Sequence, residues 1–142
     1  MPRAVVDVNV LVSALLRHDT GPADVLRAWR DGLFELVVSP KLLAEFVHVT
    51  TRPALARRIN PIALDRLIAA LQAEIGDFGD PEPPDRVVGA DPKDDYLVAL
   101  ARAAGAHAIV TGDRHLLDVD GLRPPALMPR TFLAWLDELG QR

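Results

Sequence analysis

A short apolar run near the amino terminus ends at an acid, and this junction constrains the fold more than any other feature. Residues 3–8 read Arg-Ala-Val-Val-Asp-Val, and a helical pattern containing Asn9 and Ser13 follows. An apolar run that stops at a polar cluster is typical of a buried strand. In open parallel sheets the ligand crevice lies beyond the carboxyl ends of the strands. Asp7 is therefore expected to begin a functional site, and Asn9 to cap a helix that runs to about Arg17.

Length and composition limit the class of protein. The chain has 142 residues, of which 49% are hydrophobic and 25% are charged. These values predict one globular domain over residues 1–142, large enough for a hydrophobic core. The sequence has no cysteine, which excludes disulfides and thiolate metal sites. The net charge of −4 argues against a surface that coats nucleic acid, although it allows a local basic rim around an acidic site.

The sequence also predicts a location. No apolar run approaches the roughly 20 residues that a membrane-spanning helix needs. The acid at position 7 comes too early for a secretory signal to precede the fold. A cytoplasmic protein with no membrane association is therefore expected.

Strands and helices are predicted to alternate along the chain. Strands are expected at 3–8, 33–38 and 107–111, with shorter extended pieces at 86–88 and 126–128. Helices are expected at 9–17, 23–30, 41–51, 60–75, 91–104 and 130–139, and the helix at 60–75 is expected to bury Ile62, Leu67 and Leu71. Such alternation predicts an α/β fold whose parallel sheet is covered by helices on both faces.

Acidic side chains recur where these elements meet. They fall at strand ends or helix beginnings, which share one edge of a parallel sheet, at Asp7, Glu45, Asp94, Asp95 and Asp113. Each has a structural explanation when taken singly. Asp7 and Asp113 suit turns, Glu45 suits a solvated helix position, and Asp95 suits the start of a helix. Asp91 suits an N-cap with Asp94 as its acidic partner three residues on.

Taken together, the acids require a different explanation. Carboxylates that converge on one edge of a sheet repel one another unless a positive charge lies between them. Hard divalent cations such as Mg²⁺ or Mn²⁺ take oxygen ligands of this kind and keep several waters. The sequence therefore predicts a divalent metal site at the carboxyl edge of the sheet.

The order of these residues resembles a known family. Asp7-Val8-Asn9 is followed by Ser13, Glu45, the segment Asp95-Tyr-Leu-Val-Ala-Leu-Ala and the segment Val110-Thr111-Gly112-Asp113-Arg-His-Leu-Leu. This pattern is similar to the PIN-domain family, and most similar to the VapC-like toxin ribonucleases of bacterial toxin–antitoxin pairs. The resemblance covers essentially the whole chain in the right order.

The resemblance implies a fold, an activity and a metal. The fold would be a three-layer α/β/α sandwich around a central parallel sheet. The activity would be that of an endoribonuclease that uses Mg²⁺ or Mn²⁺ and a metal-activated water to cut RNA. Carried over by position, the metal-site and catalytic acids would be Asp7, Glu45, Asp95 and Asp113.

The third acid has a close competitor. The run at 91–95 offers three acids where the family has one, and the choice of Asp95 rests on its register with Ala99 and Ala101. Asp94 is the reserve candidate. The polar supports of the site would be Asn9, Ser13 and Thr111, and the residues predicted to contact RNA are Arg52, Arg114 and His115.

The resemblance also implies partners. These are an RNA substrate, a cognate antitoxin protein and a second copy of the chain in a homodimer. A groove between the helix that carries Glu45 and the helix that carries Leu64 and Leu71 is a hypothetical docking surface for the antitoxin.

Two other functions fit parts of the pattern. A non-catalytic PIN-like module would bind RNA or protein through the same fold. A phosphatase of the haloacid-dehalogenase kind would use Asp7 as nucleophile, with Lys93 and the acids that follow it. That chemistry needs a second acid where Asn9 stands, which makes the phosphatase the weakest of the three hypotheses.

Overall fold

The central sheet is built from runs of valine, isoleucine, leucine and alanine, which suit buried strands. The structure is a computed structural model that describes residues 1–77, 79–81 and 92–140. Its strands are β1 (Arg3–Val6), β2 (Glu35–Val37), β3 (Ala108–Val110) and β4 (Ala126–Leu127). They pair in the order β2-β1-β3-β4, and every pair is parallel. This arrangement confirms the predicted α/β class with a central parallel sheet.

Helices cover both faces of this sheet, as a parallel sheet requires. Their bounds are α1 (Val8–Leu16), α2 (Gly21–Arg30), α3 (Pro40–Thr50), α4 (Pro53–Ala56), α5 (Pro61–Ala73), α6 (Pro92–Ala103), α7 (Arg114–Leu117) and α8 (Pro129–Gly140). Helix α6 packs on β1 and β3, α8 packs on β3, and α1 packs between α2 and α3. The result is the three-layer α/β/α sandwich that the sequence predicts.

Several helices begin with the same local device. The side-chain oxygens of Thr20, Ser39 and Asn60 each accept a hydrogen bond from a backbone N–H of the following turn. A proline lies in the first turn of each of these helices. These are favourable N-cap and first-turn residues. The start of α1 differs from the prediction, because Asp7 is the N-cap and accepts the N–H of Asn9. The strand therefore ends at Val6, two residues earlier than expected, and Asn9 already lies inside the helix.

The core is centred on β1. Ala4, Val5 and Val6 are all completely buried, and the cluster around them takes in side chains of every layer. Full burial of a valine side chain contributes roughly 1.5–3 kcal/mol. Because Val6 pairs with Val110 of β3 in register, the residue that follows each strand lies at the same edge of the sheet. The core thereby fixes where Asp7 and Thr111 stand.

Some details of the helices were not predicted. The short helices α4 and α7 fall in stretches for which no element is predicted, because single turns carry too few residues for a helical period to show. The prediction that Ile62 is buried is wrong. It is 64% exposed, because it lies in the first turn of α5 at the surface, whereas Leu67 and Leu71 are buried.

Two predictions concern residues outside the described part of the chain, namely the extended piece at 86–88 and the capping role of Asp91. Over the residues that are described, no helix has both the length and the hydrophobicity required to cross a bilayer.

Candidate active site

Asp7 stands at the junction of β1 and α1 and is held from three sides. Its backbone N–H donates to the carbonyl oxygen of Val110 at 2.9 Å, which continues the pairing of β1 with β3. Its Oδ1 accepts the N–H of Asn9 at 3.3 Å, and its Oδ2 accepts the hydroxyl of Thr111 at 2.8 Å. Since both carboxylate oxygens are engaged, the side chain has one well-defined orientation at the edge of the sheet.

Asp113 follows β3 and reaches the same edge. Its backbone N–H donates to Oγ1 of Thr111 at 3.0 Å, and its side chain caps α7 by accepting the N–H of His115 at 2.9 Å. The Nδ1 atom of the His115 ring lies 3.1 Å from the same carboxylate oxygen, Oδ1 of Asp113. The completely buried Thr111 thus connects the acids of two neighbouring strands.

Glu45 and Lys93 come from two different helices, α3 and α6. The Nζ atom of Lys93 lies 3.3 Å from Oε1 of Glu45, in an ion pair whose side chains are 66% and 28% exposed respectively. This ion pair brings a positive charge to the rim of the acidic site. It also connects α6 to the helix that follows β2.

One pocket collects these side chains. It has a volume of about 250 Å³, and its charged lining residues are Asp7, Glu45, Arg52, Lys93, Asp94 and Asp113. We call it the acid pocket. Three of the acids predicted for the metal site line it, together with the reserve candidate Asp94.

Asp95 is placed differently from its neighbour. Both side chains are buried, with Asp94 3% exposed and Asp95 4% exposed. Of these two acids, only Asp94 is among the described residues that line the acid pocket. Successive residues of an α-helix point about 100° apart, so one of two adjacent acids faces a given pocket. The first turn of α6 therefore brings Asp94 into the lining of the acid pocket, and Asp95 is not among the residues that line it.

The electrostatics of Asp7 reflect this convergence. Burial raises the pKa of its carboxyl above the ordinary value of 3.8, and the hydrogen bonds from Thr111 and Asn9 lower it. The negative charges of Glu45 and Asp113 raise the pKa of Asp7 further, and the net shift is upward. Ionisation of Asp7 is therefore less favourable in the folded protein than for a carboxyl group in water. A bound cation would relieve both the burial penalty and the repulsion.

A hydrogen-bonded tether joins Tyr96, the fifth residue of α6, to the start of α3. The hydroxyl of Tyr96 contacts Oγ of Ser39, the N-cap of α3, and donates to Oδ1 of Asp80 at 2.8 Å. Asp80 also accepts the backbone N–H of Lys41 at 3.0 Å, and the Lys41 ammonium lies 4.5 Å from the centre of the Tyr96 ring. Burial raises the pKa of Tyr96 to about 12, so the hydroxyl stays protonated.

Sequence reasoning missed this tether, although one signal for it exists. Tyr96 is the chain's single tyrosine and stands among alanine, leucine and valine on α6. A buried tyrosine hydroxyl usually needs a hydrogen-bond partner. That requirement points to a polar contact with a neighbouring element, though not to which one.

A second cavity adjoins the acid pocket. It has a volume of about 470 Å³ and shares Asp7, Asn9 and Asp113 with the acid pocket. It is otherwise lined mainly by apolar groups that include Val10, Pro22, Met128 and Pro129. Asn9 and Ser13 also line this apolar cleft. The predicted supports thus lie beside the acids, with Thr111 beneath them and Asn9 and Ser13 along the cleft.

The residues predicted to contact RNA lie around the same edge. Arg52 lines the acid pocket, and the exposed residues Arg114 and His115 form the start of α7. One ligand atom each from Asp94, Asp113 and His115 lie within 4.8 Å of one another, close enough to share a metal ion after small side-chain movements. The donor set of carboxylates with one imidazole suits a divalent cation.

Comparisons with known proteins bear on this site. A family model described as the PIN domain matches residues 3–115, a range that contains every acid of the pocket. The crystal structure of PAE2754 from Pyrobaculum aerophilum is similar over 96% of this chain and 90% of that chain, with a TM-score of 0.63 and 19% sequence identity. At this identity the likeness concerns the fold alone. No curated protein sequence matches the chain.

Proposed function

This chain belongs to the PIN-domain family, and we propose on that premise that it is a metal-dependent endoribonuclease that hydrolyses RNA phosphodiester bonds. PIN domains are generally metal-dependent nucleases. The observation that carries the proposal is the acid pocket, where carboxylates from β1, α3, α6 and the end of β3 converge on about 250 Å³. Acids with no common function would not be expected to meet from four separate elements.

The acids of the pocket have the chemistry of a Mg²⁺ or Mn²⁺ site. The residues proposed to hold the ion are Asp7, Glu45, Asp94 and Asp113, with Asp95 as the alternative that the sequence pattern favours. When bound, a divalent ion polarises the phosphodiester and lowers the pKa of an attacking water. Thr111 orients Asp7 through its hydroxyl, and the Tyr96 tether joins the N-terminal part of α6 to the N-cap of α3.

The surroundings of the acids suit a single-stranded substrate. Arg52 and Lys93 place positive charge in the lining of the acid pocket, where the phosphate backbone of RNA would pass, and Arg114 follows Asp113 in the chain. The apolar cleft shares Asp7 and Asp113 with the acid pocket, and its volume of about 470 Å³ has room for an unstacked base. Single strands and loops offer such bases, whereas a duplex keeps them stacked.

A finer proposal concerns the biological role. The order of acids and the Thr-Gly-Asp segment resemble those of VapC-like toxins, which supports a role as the toxin of a toxin–antitoxin pair. On this proposal the chain acts in the cytoplasm as a homodimer and is inhibited by a small antitoxin protein. Induced expression should then arrest bacterial growth, and Asp7→Asn or co-expression of the antitoxin should restore it.

The decisive experiment is cleavage of a single-stranded RNA in the presence of Mg²⁺ or Mn²⁺. We expect cleavage by the native protein, its loss with EDTA, and a loss of about 100-fold or more in Asp7→Asn. The matched control is Asp65→Asn, because Asp65 is an exposed acid on α5 away from the pocket. The proposal is wrong if neither the chelator nor Asp7→Asn affects cleavage.

The same experiment separates the alternatives. Metal-dependent RNA binding without cleavage would favour the non-catalytic PIN-like module. The match to a PIN-domain model leaves the haloacid-dehalogenase hypothesis without support from the comparisons. A phosphorylated Asp7 trapped with a phosphate ester would revive it.

A further inference from the structure

We propose that His115 is a nitrogen ligand of the metal site and makes the site prefer a first-row transition-metal ion over Mg²⁺. The inference rests on the proposed function, because it concerns the ion that the acid pocket would hold. It starts from a local contact, since Nδ1 of His115 lies 3.1 Å from Oδ1 of Asp113. One ligand atom of His115 also lies within 4.8 Å of a carboxylate oxygen of Asp94.

A backbone hydrogen bond fixes the main chain of His115 beside Asp113. Asp113 caps α7 and accepts the backbone N–H of His115 at 2.9 Å, which anchors the first turn of α7 to the acid. The side chain of His115 is 67% exposed, whereas that of Asp113 is 29% exposed. The ring can therefore rotate at little cost in packing, although its attachment point cannot move away from Asp113.

The distances permit a shared ion. Three atoms that lie within 4.8 Å of one another are all within about 2.8 Å of a common point, where an ion could sit. Bonds from metal to nitrogen or oxygen are roughly 2.0–2.2 Å long, so each ligand atom of Asp94, Asp113 and His115 needs to move by less than about 1 Å to share an ion. Such a movement is within the reach of rotations of the exposed His115 side chain.

The chemistry of the donors then predicts selectivity. Mg²⁺ takes oxygen ligands almost exclusively and keeps most of its waters. Imidazole nitrogen suits the later first-row ions, and affinity for a mixed nitrogen and oxygen site rises from Mn²⁺ to Co²⁺ and Ni²⁺. Removal of the imidazole should therefore weaken the binding of Co²⁺ strongly, the binding of Mn²⁺ less, and the binding of Mg²⁺ hardly at all.

Calorimetric titration of the full chain with Co²⁺, Mn²⁺ and Mg²⁺ tests this selectivity without any measurement of activity. We expect His115→Asn to lower Co²⁺ affinity at least about tenfold and to leave Mg²⁺ affinity within about twofold. The visible absorption of bound Co²⁺ should also change, because it reports the loss of a nitrogen ligand. The matched control is His18→Asn, since His18 is an exposed histidine that follows the far end of α1.

The outcomes distinguish this inference from the proposed function. If His115→Asn leaves the ratio of Co²⁺ to Mg²⁺ affinity and the Co²⁺ spectrum unchanged while Asp113→Asn abolishes binding, His115 is not a ligand and the acid site stands. An equal loss of affinity for all three ions in His115→Asn would also overturn the inference. It would show that His115 positions Asp113 and does not bind the metal. If Asp7→Asn and Asp113→Asn leave all affinities unchanged, the proposed metal site itself is wrong.

Discussion

The hydroxyl of Thr111 connects the acids of two adjacent strands: it donates to Oδ2 of Asp7 at 2.8 Å and accepts the backbone N–H of Asp113 at 3.0 Å. Thr111 is completely buried, so this geometry is protected from competing water. A hydroxyl that donates to one acid and accepts from the next is suited to hold both at a fixed separation. The site therefore depends on a residue that need not contact the metal.

Replacement of this hydroxyl by a methyl group should weaken the metal site. In Thr111→Val, Asp7 loses a hydrogen bond that lowers its pKa, so the pKa should rise above its already raised value. The N–H of Asp113 also loses its acceptor, at a cost of about 1–3 kcal/mol of folding free energy. We expect metal affinity, measured by calorimetry, to fall about tenfold.

The control for this variant is Thr111→Ser, which keeps the hydroxyl and removes the methyl group. Metal affinity close to the native value in Thr111→Ser, with a tenfold loss in Thr111→Val, would assign the effect to the hydrogen bonds. Equal losses in the two variants would show that packing of the methyl group matters instead.

Asp7 should reduce the stability of the metal-free protein. Its folded-state pKa is raised above 3.8, chiefly by burial, so the ionised carboxylate is disfavoured in the fold. The penalty is fully present above the folded-state pKa, and it disappears as the pH falls through that value toward 3.8. We therefore expect Asp7→Asn to raise the Tm of the metal-free protein at neutral pH by a few degrees, and the difference to vanish in acid.

Divalent metal should reverse this order of stability. A ligand at 100 times its Kd stabilises the native state by about 2.7 kcal/mol, and Asp7→Asn should lose most of that gain. Thermal unfolding with EDTA and with Mn²⁺, across a range of pH, measures both effects. A metal-free Asp7→Asn protein that melts below the native protein at neutral pH would show that the hydrogen bonds of the carboxylate outweigh its burial penalty.

Lys93 offers a test of charge balance in the acid pocket. Its ammonium lies 3.3 Å from Oε1 of Glu45. Because the Lys93 side chain is largely exposed, the ion pair should contribute only about 0.2–1 kcal/mol to the free energy of folding. Removal of this charge in Lys93→Gln should make Glu45 a better metal ligand and raise metal affinity by roughly two- to fivefold at low salt. The effect should shrink as the ionic strength increases.

Arg66→Gln is the matched control for Lys93→Gln, because it removes an exposed positive charge on α5 away from the acids. Cleavage at saturating metal separates two roles of Lys93. A raised KM for RNA in Lys93→Gln would show that Lys93 also contacts the phosphate backbone. Unchanged metal affinity at low salt would contradict the proposed competition between Lys93 and the metal for Glu45.

Much of the fold and part of the site follow from local signals in the sequence. The apolar run of β1 ends at an acid, and the caps Ser39 and Asn60 with the prolines after them mark the starts of α3 and α5. Each signal acts within a few residues, so a single sequence contains it in full. Parallel topology then brings the ends of β1 and β3 to one edge, and with them Asp7 and Asp113.

The register of α6 could not be read in the same way. Every residue from Asp94 to Ala101 is buried, so this helix has no exposed face over more than two turns. Hydrophobic periodicity identifies an inner face only when an outer face is polar. Ala99 and Ala101, on which the choice of Asp95 rests, are both buried and therefore do not distinguish the inner face of the helix. The observed register places the Tyr96 hydroxyl against Ser39 and Asp80, and no local pattern contains these long-range contacts.

The two acids of α6 provide the last prediction. Asp94 lines the acid pocket with Asp7, Glu45 and Asp113, whereas Asp95 is not part of that lining. Asp94→Asn should therefore lower metal affinity about 100-fold, as expected for loss of a ligand, and Asp95→Asn should change it less than about threefold. Calorimetry with Mn²⁺ measures both affinities, and circular dichroism with thermal unfolding verifies that each variant folds, since both side chains are buried. The reverse result, with metal binding lost in Asp95→Asn and kept in Asp94→Asn, would restore the assignment made from the sequence. It would also require the first turn of α6 to rotate by about 100° when the ion binds.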